Sequence, residues 1–520
     1  MPTPVQGLVQ VAFDGMRDSL SPQTGETRKA KLLQNVYPVD PQFGGGVVGR
    51  PGLSITQNSQ LGSSGHRNVQ RIYQYTKQDG TETTVAFVGG LMYTYNWITA
   101  VWTNVALSGV SLPQDTRIYC TTFHDKLIVN PNDGVNLPWS WDGTTFTSLT
   151  NAPLAYGPLT VYYAKLFLIK WAERNTIDWS EENSETTGYE SGGFNNSWSL
   201  TQTSQDALTA IYGTNDALYY WRARAVGRIT GAVNSDFVNS GTHDSVSLKT
   251  GTLSPASVTE HETDIFFVDA DGRPQVISGG ALYPIWRDYR TTLLNVPRTS
   301  LADAIGVSFT PIPLVLLAVT ELNQLIPNLI LTIAPGGSEP PAAGVWRGWT
   351  LLAAGMTKDN NGTPTLLLGG NDGYVYQVGD PSGTVWSDAF VGGTVGVQHI
   401  VQGSYMGWNP VETKQYDWVR LSLQANTNMT GLVFDYQSPL YTETLSAANA
   451  SVGTLSLWDQ AIWDSSQWSQ VGAEASVQFG IQGGGKWFLP RVTHQQVGEQ
   501  FGLNAIAVDA YSTGPEYDDQ

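Results

Sequence analysis

Cysteine is nearly missing from this chain. Cys120 is the only one in 520 residues, which excludes an internal disulfide and a multi-cysteine zinc site. It follows Ile118-Tyr119 in a strand-like run and reads as a small buried apolar residue. Charge is scarce as well. Asp, Glu, Lys and Arg make up 14% of the residues, well below the ~25% usual for globular chains. Basic residues are the scarcer sign, with 27 Lys and Arg against 45 Asp and Glu and a formal net charge of −18. A free-standing DNA binder carries a basic excess that replaces phosphate counterions, so that class is excluded. The acidic excess favours solubility, or a surface that repels DNA.

Long apolar runs are missing too. The most apolar segment, residues 311–335, is interrupted by Glu321, Asn323, Gln324, Pro327 and Asn328. A membrane helix needs about 20 mostly apolar residues, so this segment is predicted to be two buried strands. Met1-Pro2-Thr3-Pro4-Val5 lacks the basic start and apolar core of a signal peptide. The expectation is a protein made soluble in a cytoplasm, with no membrane span. His66, His124, His243, His261, His399 and His494 are scattered, none at metal-ligand spacing. No Gly-x-Ser-x-Gly elbow is present to support nucleophilic catalysis. Glu181-Glu182 is read as a solvated turn.

What the chain does have is glycine and aromatics: 55 Gly, 18 Trp and 23 Tyr. This composition suits short strands joined by many turns. Residues 1–60 hold Pro2, Pro4, Pro22, Pro38, Pro41, Pro51 and Gly44-Gly45-Gly46. They read as an extended N-terminal arm that packs onto something else rather than onto itself. From residue 61 to 380 an irregular repeat follows: apolar strand, short Asp/Gly turn, aromatic-rich strand. One unit holds residues 71–75, the Gln78-Asp79-Gly80 turn, residues 85–88, 91–95 and 101–102. Later units centre on residues 117–146, 161–179, 208–221, 264–277 and 314–376, with tryptophans recurring late in them at Trp102, Trp141, Trp179, Trp221, Trp286 and Trp349. Four short strands per unit predict an irregular all-β propeller of about six blades, within a range of roughly five to seven. Residues 381–512 change grammar, with the alternating run 416–423 and the Trp458, Trp463 and Trp468 cluster, and read as an antiparallel β-sandwich. Residues 513–520, with Glu516, Asp518 and Asp519, read as a disordered acidic tail.

Several motifs could carry chemistry and are better explained otherwise. Gly480-Ile481-Gln482-Gly483-Gly484-Gly485-Lys486 has most of the Walker A spacing. Trp487 then stands where a magnesium-binding Ser or Thr is needed, so the run reads as a glycine hairpin turn. Asp269-Ala270-Asp271-Gly272 and Asp359-Asn360-Asn361-Gly362 lack the length and closing Glu of an EF-hand loop and read as turns. Ser140-Trp141-Asp142-Gly143-Thr144-Thr145-Phe146 resembles the Asp-box turn of sialidase-like propellers, one residue short. Arg222, Arg224 and Arg228 could clamp a carboxylate. Their alternate spacing puts them on one strand face, read as solvated or interfacial. The Trp-Asp pairs at Trp141, Trp458 and Trp463 lack the Gly-His partner of WD40 repeats. No catalytic residue, metal ligand or cofactor site is assigned, and the chain is not expected to be an enzyme.

Near the start stand Asn35-Val36-Tyr37 and Arg50-Pro51-Gly52-Leu53. With Phe123-His124-Asp125-Lys126-Leu127-Ile128-Val129-Asn130, residues 267–273 and residues 369–376, they occur in an order that resembles the tail nozzle, or packaged-DNA stabilisation, proteins of short-tailed bacteriophages. The resemblance covers about residues 30–380. It implies Asn35, Tyr37, Arg50, Pro51, Gly52 and Leu53 as a structural family motif. It also implies a homohexameric tube in the virion tail, below the portal and its adaptor ring, with tail fibres or a tail needle as further partners. Packaged double-stranded DNA would be retained and then conducted through the lumen without specific binding. The rival reading is a carbohydrate-active or glycan-binding propeller, as a tail-associated hydrolase or adhesin.

Overall fold

A computed structural model describes residues 6–10, 13–21, 28–39, 46–180, 194, 196–200, 206–231, 237, 241–335, 342–379, 385–390, 392–406, 412–423, 428–439, 442–451 and 475–515. The described chain is almost wholly β, and the expected irregular propeller is present. Each blade is an antiparallel meander of four strands. Five stand alone as four-stranded sheets, at 69–105, 119–148, 155–199, 208–247 and 259–284. Two more, at 305–346 and 353–378, belong to larger sheets. The innermost strands are seven: Val69–Thr76, Tyr119–Phe123, Ala155–Tyr162, Leu208–Gly213, Thr259–His261, Ile305–Phe309 and Ala353–Lys358. The last packs beside the first and closes the ring.

The second strand of each blade reads as a continuous apolar run because neighbouring blades cover both of its faces. Leu314–Val319 and Leu329–Ile333 are buried along their whole length, so residues 311–335 hold two buried strands as expected. Outermost strands such as Thr242–Ser247 face solvent. Separate apolar clusters sit between blades: Tyr75, Val85 and Phe87 meet Leu127, Val129 and Trp139, and Tyr162, Phe167 and Trp179 meet Leu218 and Tyr220. At the axis, strands approach so closely that only glycine fits. A Cβ on Gly213 would lie 2.3 Å from the Val161 carbonyl oxygen, and one on Gly355 would lie 2.6 Å from that of Ile72.

Several sequence expectations are corrected here. The unit read at 314–376 is two blades, because the innermost strand Ala353–Lys358 is built from small residues and carries no aromatic run. The recurring tryptophans are not equivalent: Trp102 is on a fourth strand, Trp141 and Trp179 on third strands, Trp221 on a second, and Trp286 in a short 3-10 helix. The glycine run at 480–485 is not a turn but the end of the strand Ala475–Gly485, paired with Glu412–Leu423. Residues 513–515 belong to the strand Gly502–Pro515. Trp458, Trp463, Trp468, Glu181-Glu182 and residues 516–520 lie outside the described residues.

The arm runs through both larger sheets. Leu53–Ile55 pairs antiparallel with Val375–Val378 and completes the last blade as its outer strand. Leu32–Gln34 lies parallel to Ala342–Trp346 and antiparallel to His399–Gln402, joining the 305–346 blade to the C-terminal strands in one nine-stranded sheet. Val36–Pro38, Val47–Gly49 and Gln6–Gln10 join the opposite sheet of the sandwich, around Gly502–Pro515. One apolar cluster is therefore continuous from Leu317 and Leu331 in the blade to Tyr416, Phe434 and Phe488 between the sandwich sheets.

Candidate functional site

The motif residues converge on one buried junction. Asn35 is the corner between Leu32–Gln34 and Val36–Pro38, which lie in different sheets. Its φ is 56°, a left-handed conformation that Asn tolerates better than most residues. Its amide nitrogen donates to the Gln398 carbonyl at 2.9 Å. Its side-chain oxygen accepts from the Arg347 backbone N–H at 2.6 Å and from Arg50 Nε at 3.1 Å.

Arg50 is 1% exposed. Its two terminal nitrogens grip Asp388 through both carboxylate oxygens, at 2.9 and 2.6 Å, and donate to the carbonyls of Pro51 and Arg347, each at 3.1 Å. The guanidinium also lies over the Trp349 ring, 4.2 Å from its centroid, while the Trp349 N–H donates to Asp388 at 3.1 Å. A buried cation is tolerable only when paired and hydrogen-bonded, and here every direction of the fork is met. Pro51 carries the chain out of the junction. Gly52 is forced by space: a Cβ there would lie 2.1 Å from the Ser387 carbonyl oxygen. Leu53, 2% exposed, sits between the Val378 and Asp388 strands. Tyr37 packs half-buried against the core between the last two blades, and burial raises its hydroxyl pKa. Asn35, Arg50, Gly52 and Leu53 thus form one latch between arm, last blade and sandwich. Asp388, Trp349, Arg347 and Gln398 complete it, and nothing local in the sequence marked them.

Beside the latch lies a histidine pair. His399 and His494 face each other across their strands, rings 5.9 Å apart, and Phe501 stacks on His399 at 5.3 Å. Both rings are fully buried. His494 Nε2 meets Glu499 at 2.9 Å, whereas among the described residues neither nitrogen of His399 has a hydrogen-bond partner. Burial, and then the charges of His494 and Arg50, hold the His399 pKa well below the ordinary histidine range.

The other sequence candidates are structural. Asp269 Oδ1 accepts from the Asp271 and Arg273 backbone amides at 2.8 and 2.9 Å. Asp359 does the same with Asn361 and Thr363, both at 2.8 Å, and Asp142 with Thr144 and Thr145 at 2.8 and 2.7 Å. The arginines do not share a strand face. Arg222 ends one strand, Arg224 lies in the turn, and Arg228 is on the next strand. Arg222 is fully buried and bonds Asn175 and the carbonyls of Leu200 and Asp206. Arg228 pairs with Asp244 at 3.3 Å. The expected shared strand face is not formed: Arg222 is packed inside, Arg224 is exposed and Arg228 is half-buried. Cys120 is buried as expected, and burial pushes its thiol up to about 12.

The propeller axis holds a cavity of about 540 Å³ lined by all seven innermost strands. Its polar groups include Arg71, Tyr73, Thr160, Tyr212, Glu260 and Ser308. The Tyr212 hydroxyl donates to Glu260 at 2.9 Å, and burial raises the pKa of both groups.

No family model matches the chain, and no curated protein matches it. Among solved structures, a computationally designed protein, Ika8, is similar at 10% identity over 62% of this chain and 99% of its own, with a TM-score of 0.33. The extracellular domain of a hybrid two-component system from B. thetaiotaomicron is similar at 10% identity, over 63% of this chain and 39% of its own, with a TM-score of 0.38. Neither likeness bears on what this chain does.

Proposed function

We propose that this chain is a structural virion protein, a subunit of the tail nozzle of a short-tailed bacteriophage. It forms a ring below the portal-adaptor assembly, retains packaged DNA and conducts it on infection. It acts mechanically and is not an enzyme. The observation that carries this reading is the Arg50–Asp388 latch. The residues that resemble the nozzle signature are spent on fixing arm, propeller and sandwich together, as the wall of a tube under load requires. Leu294 and Leu325, 81% and 93% exposed, flank the point where the Leu322 amide bonds the Asn295 carbonyl. They offer an apolar contact to a neighbouring copy.

The test is the native mass of the purified chain alone and with its adaptor ring. A closed ring of about six copies is expected, and Leu325→Asp is expected to disperse it into protomers that melt at an unchanged temperature. A stable monomer that degrades polysaccharide rejects the proposal and favours the glycan-active reading, for which the polar axial cavity is the supporting feature.

A further inference from the structure

The axial cavity contains a cation without a counter-ion. Arg71 projects from the first innermost strand into the space shared by all the blades. Its Nε is buried and makes no hydrogen bond. Among the described residues no carboxylate reaches it within ion-pair distance. Its charge acts on the hydroxyls of Tyr73, Tyr119 and Tyr212, which come from three different blades. The guanidinium carbon lies 6.0 Å from the centroid of the Tyr73 ring on its own strand. Arg71 is half-buried, so its charge keeps part of its hydration until a ligand group replaces it. Arg50 and Arg222 show how this chain satisfies an arginine it uses for packing: each is bonded to acceptors through both terminal nitrogens. Arg71 is not.

We propose that the cavity is a binding site for a small hydroxylated monocarboxylate, of the sugar-acid class, with its carboxylate on Arg71 and its hydroxyls on Glu260, Tyr212 and Thr160. Three observations choose this class. The volume, about 540 Å³, falls within the usual range for small-ligand sites. The planar fork of arginine matches a carboxylate through two parallel hydrogen bonds. The remaining lining is rich in hydroxyls: the Thr160 oxygen accepts from the Gly213 amide at 2.8 Å and keeps its own proton to donate, and Glu260 has a second oxygen beyond the Tyr212 bond. Glu260 repels a doubly charged phosphate more strongly than a singly charged carboxylate across the same cavity, which favours the monocarboxylate. The inference does not depend on the tail-nozzle reading, since this cavity lies within one propeller.

The test is calorimetric titration of the full chain with glucuronate, glucose, acetate and inorganic phosphate. Glucuronate is expected to saturate the chain at one site per copy and to bind at least about tenfold more tightly than the other three. Glucose lacks the carboxylate, and acetate lacks the hydroxyls. Arg71→Met is expected to weaken glucuronate about tenfold or more while the circular dichroism spectrum is unchanged. Arg71→Lys keeps the charge without the fork and serves if the methionine variant does not fold; it is expected to show an intermediate loss. The proposal is overturned by no saturable glucuronate binding, by phosphate binding as tightly as glucuronate, or by affinity that is the same in a folded Arg71 variant.

Discussion

Arg50 shows how much one side chain can hold in place. Its guanidinium joins Asn35 of the arm, Arg347 of the loop after the 305–346 blade and Asp388 on the strand Ser387–Phe390 that extends the last blade's sheet. Truncating it leaves Asp388 buried and unpaired, because Asp388 is only 4% exposed. Breaking a buried pair on one side typically costs about 3–5 kcal/mol, so Arg50→Met is expected to lower the urea midpoint by that equivalent. Replacing both partners removes the stranded charge. Arg50→Met/Asp388→Leu is therefore expected to be more stable than Arg50→Met alone, and a double variant weaker than the single would refute the charge account. His399 adds a pH dependence at the same junction. Its folded pKa lies below the ordinary value, so the unfolded chain binds the proton more readily. Stability is then full above roughly pH 6.5 and falls as the pH drops towards the folded pKa. His494, Glu499 and Arg50 are the titratable or charged groups nearest to it. Melting temperatures measured from pH 8 to pH 5 should fall more steeply in the native chain than in His399→Leu. Equal slopes would remove His399 as the cause.

At the scale of elements, the decisive pieces are short. Leu53–Ile55 is three residues long, yet it supplies the outer strand of the last blade and touches the 387–390 strand on its other side. Gly52 lets it enter. Gly52→Ala must push its Cβ into the Ser387 carbonyl, at an expected cost of about 1–3 kcal/mol. Gly480→Ala meets nothing within 4 Å and is expected to change stability by less than about 0.5 kcal/mol. Denaturant melts of the two variants test this difference, and equal effects would defeat it. The same elements show what the sequence made readable. Turns at Gln78-Asp79-Gly80 and Asp269–Gly272 were legible because each turn is specified by its own residues, with Gly80 at φ 84° and Gly272 at φ 82°. The second strands were legible as apolar runs. Ala353–Lys358 was not, because the crowded axis selects small residues there and leaves no strand signature. The latch was half legible: Asn35 and Arg50 stand close in sequence, but Arg50 lies 338 positions from Asp388, and no local pattern encodes that pairing. Arg71 was invisible as a site residue for a related reason, since its meaning lies in the partner it lacks.

For the whole molecule, charge and assembly must be considered together. The chain carries a formal net charge of −18, and several of its arginines are committed to carboxylates, among them Arg50 to Asp388, Arg228 to Asp244 and Arg347 to Glu321. A conduit for DNA must hold the duplex by confinement, because each phosphate bound by a lysine or arginine would have to be released before the strand could advance. At physiological salt a surface charge acts over only ~8–10 Å, so the residues that matter are those lining the assembled lumen. These are expected to be acidic or neutral. On the proposed nozzle reading, the ring should therefore leave linear double-stranded DNA unretarded in a mobility-shift gel at physiological salt. Lowering the salt should not bring out the steep affinity gain that marks counterion release. A ring that retards DNA, with an affinity falling sharply as salt rises, would place a basic wall around the lumen and end the account of a non-adhesive conduit.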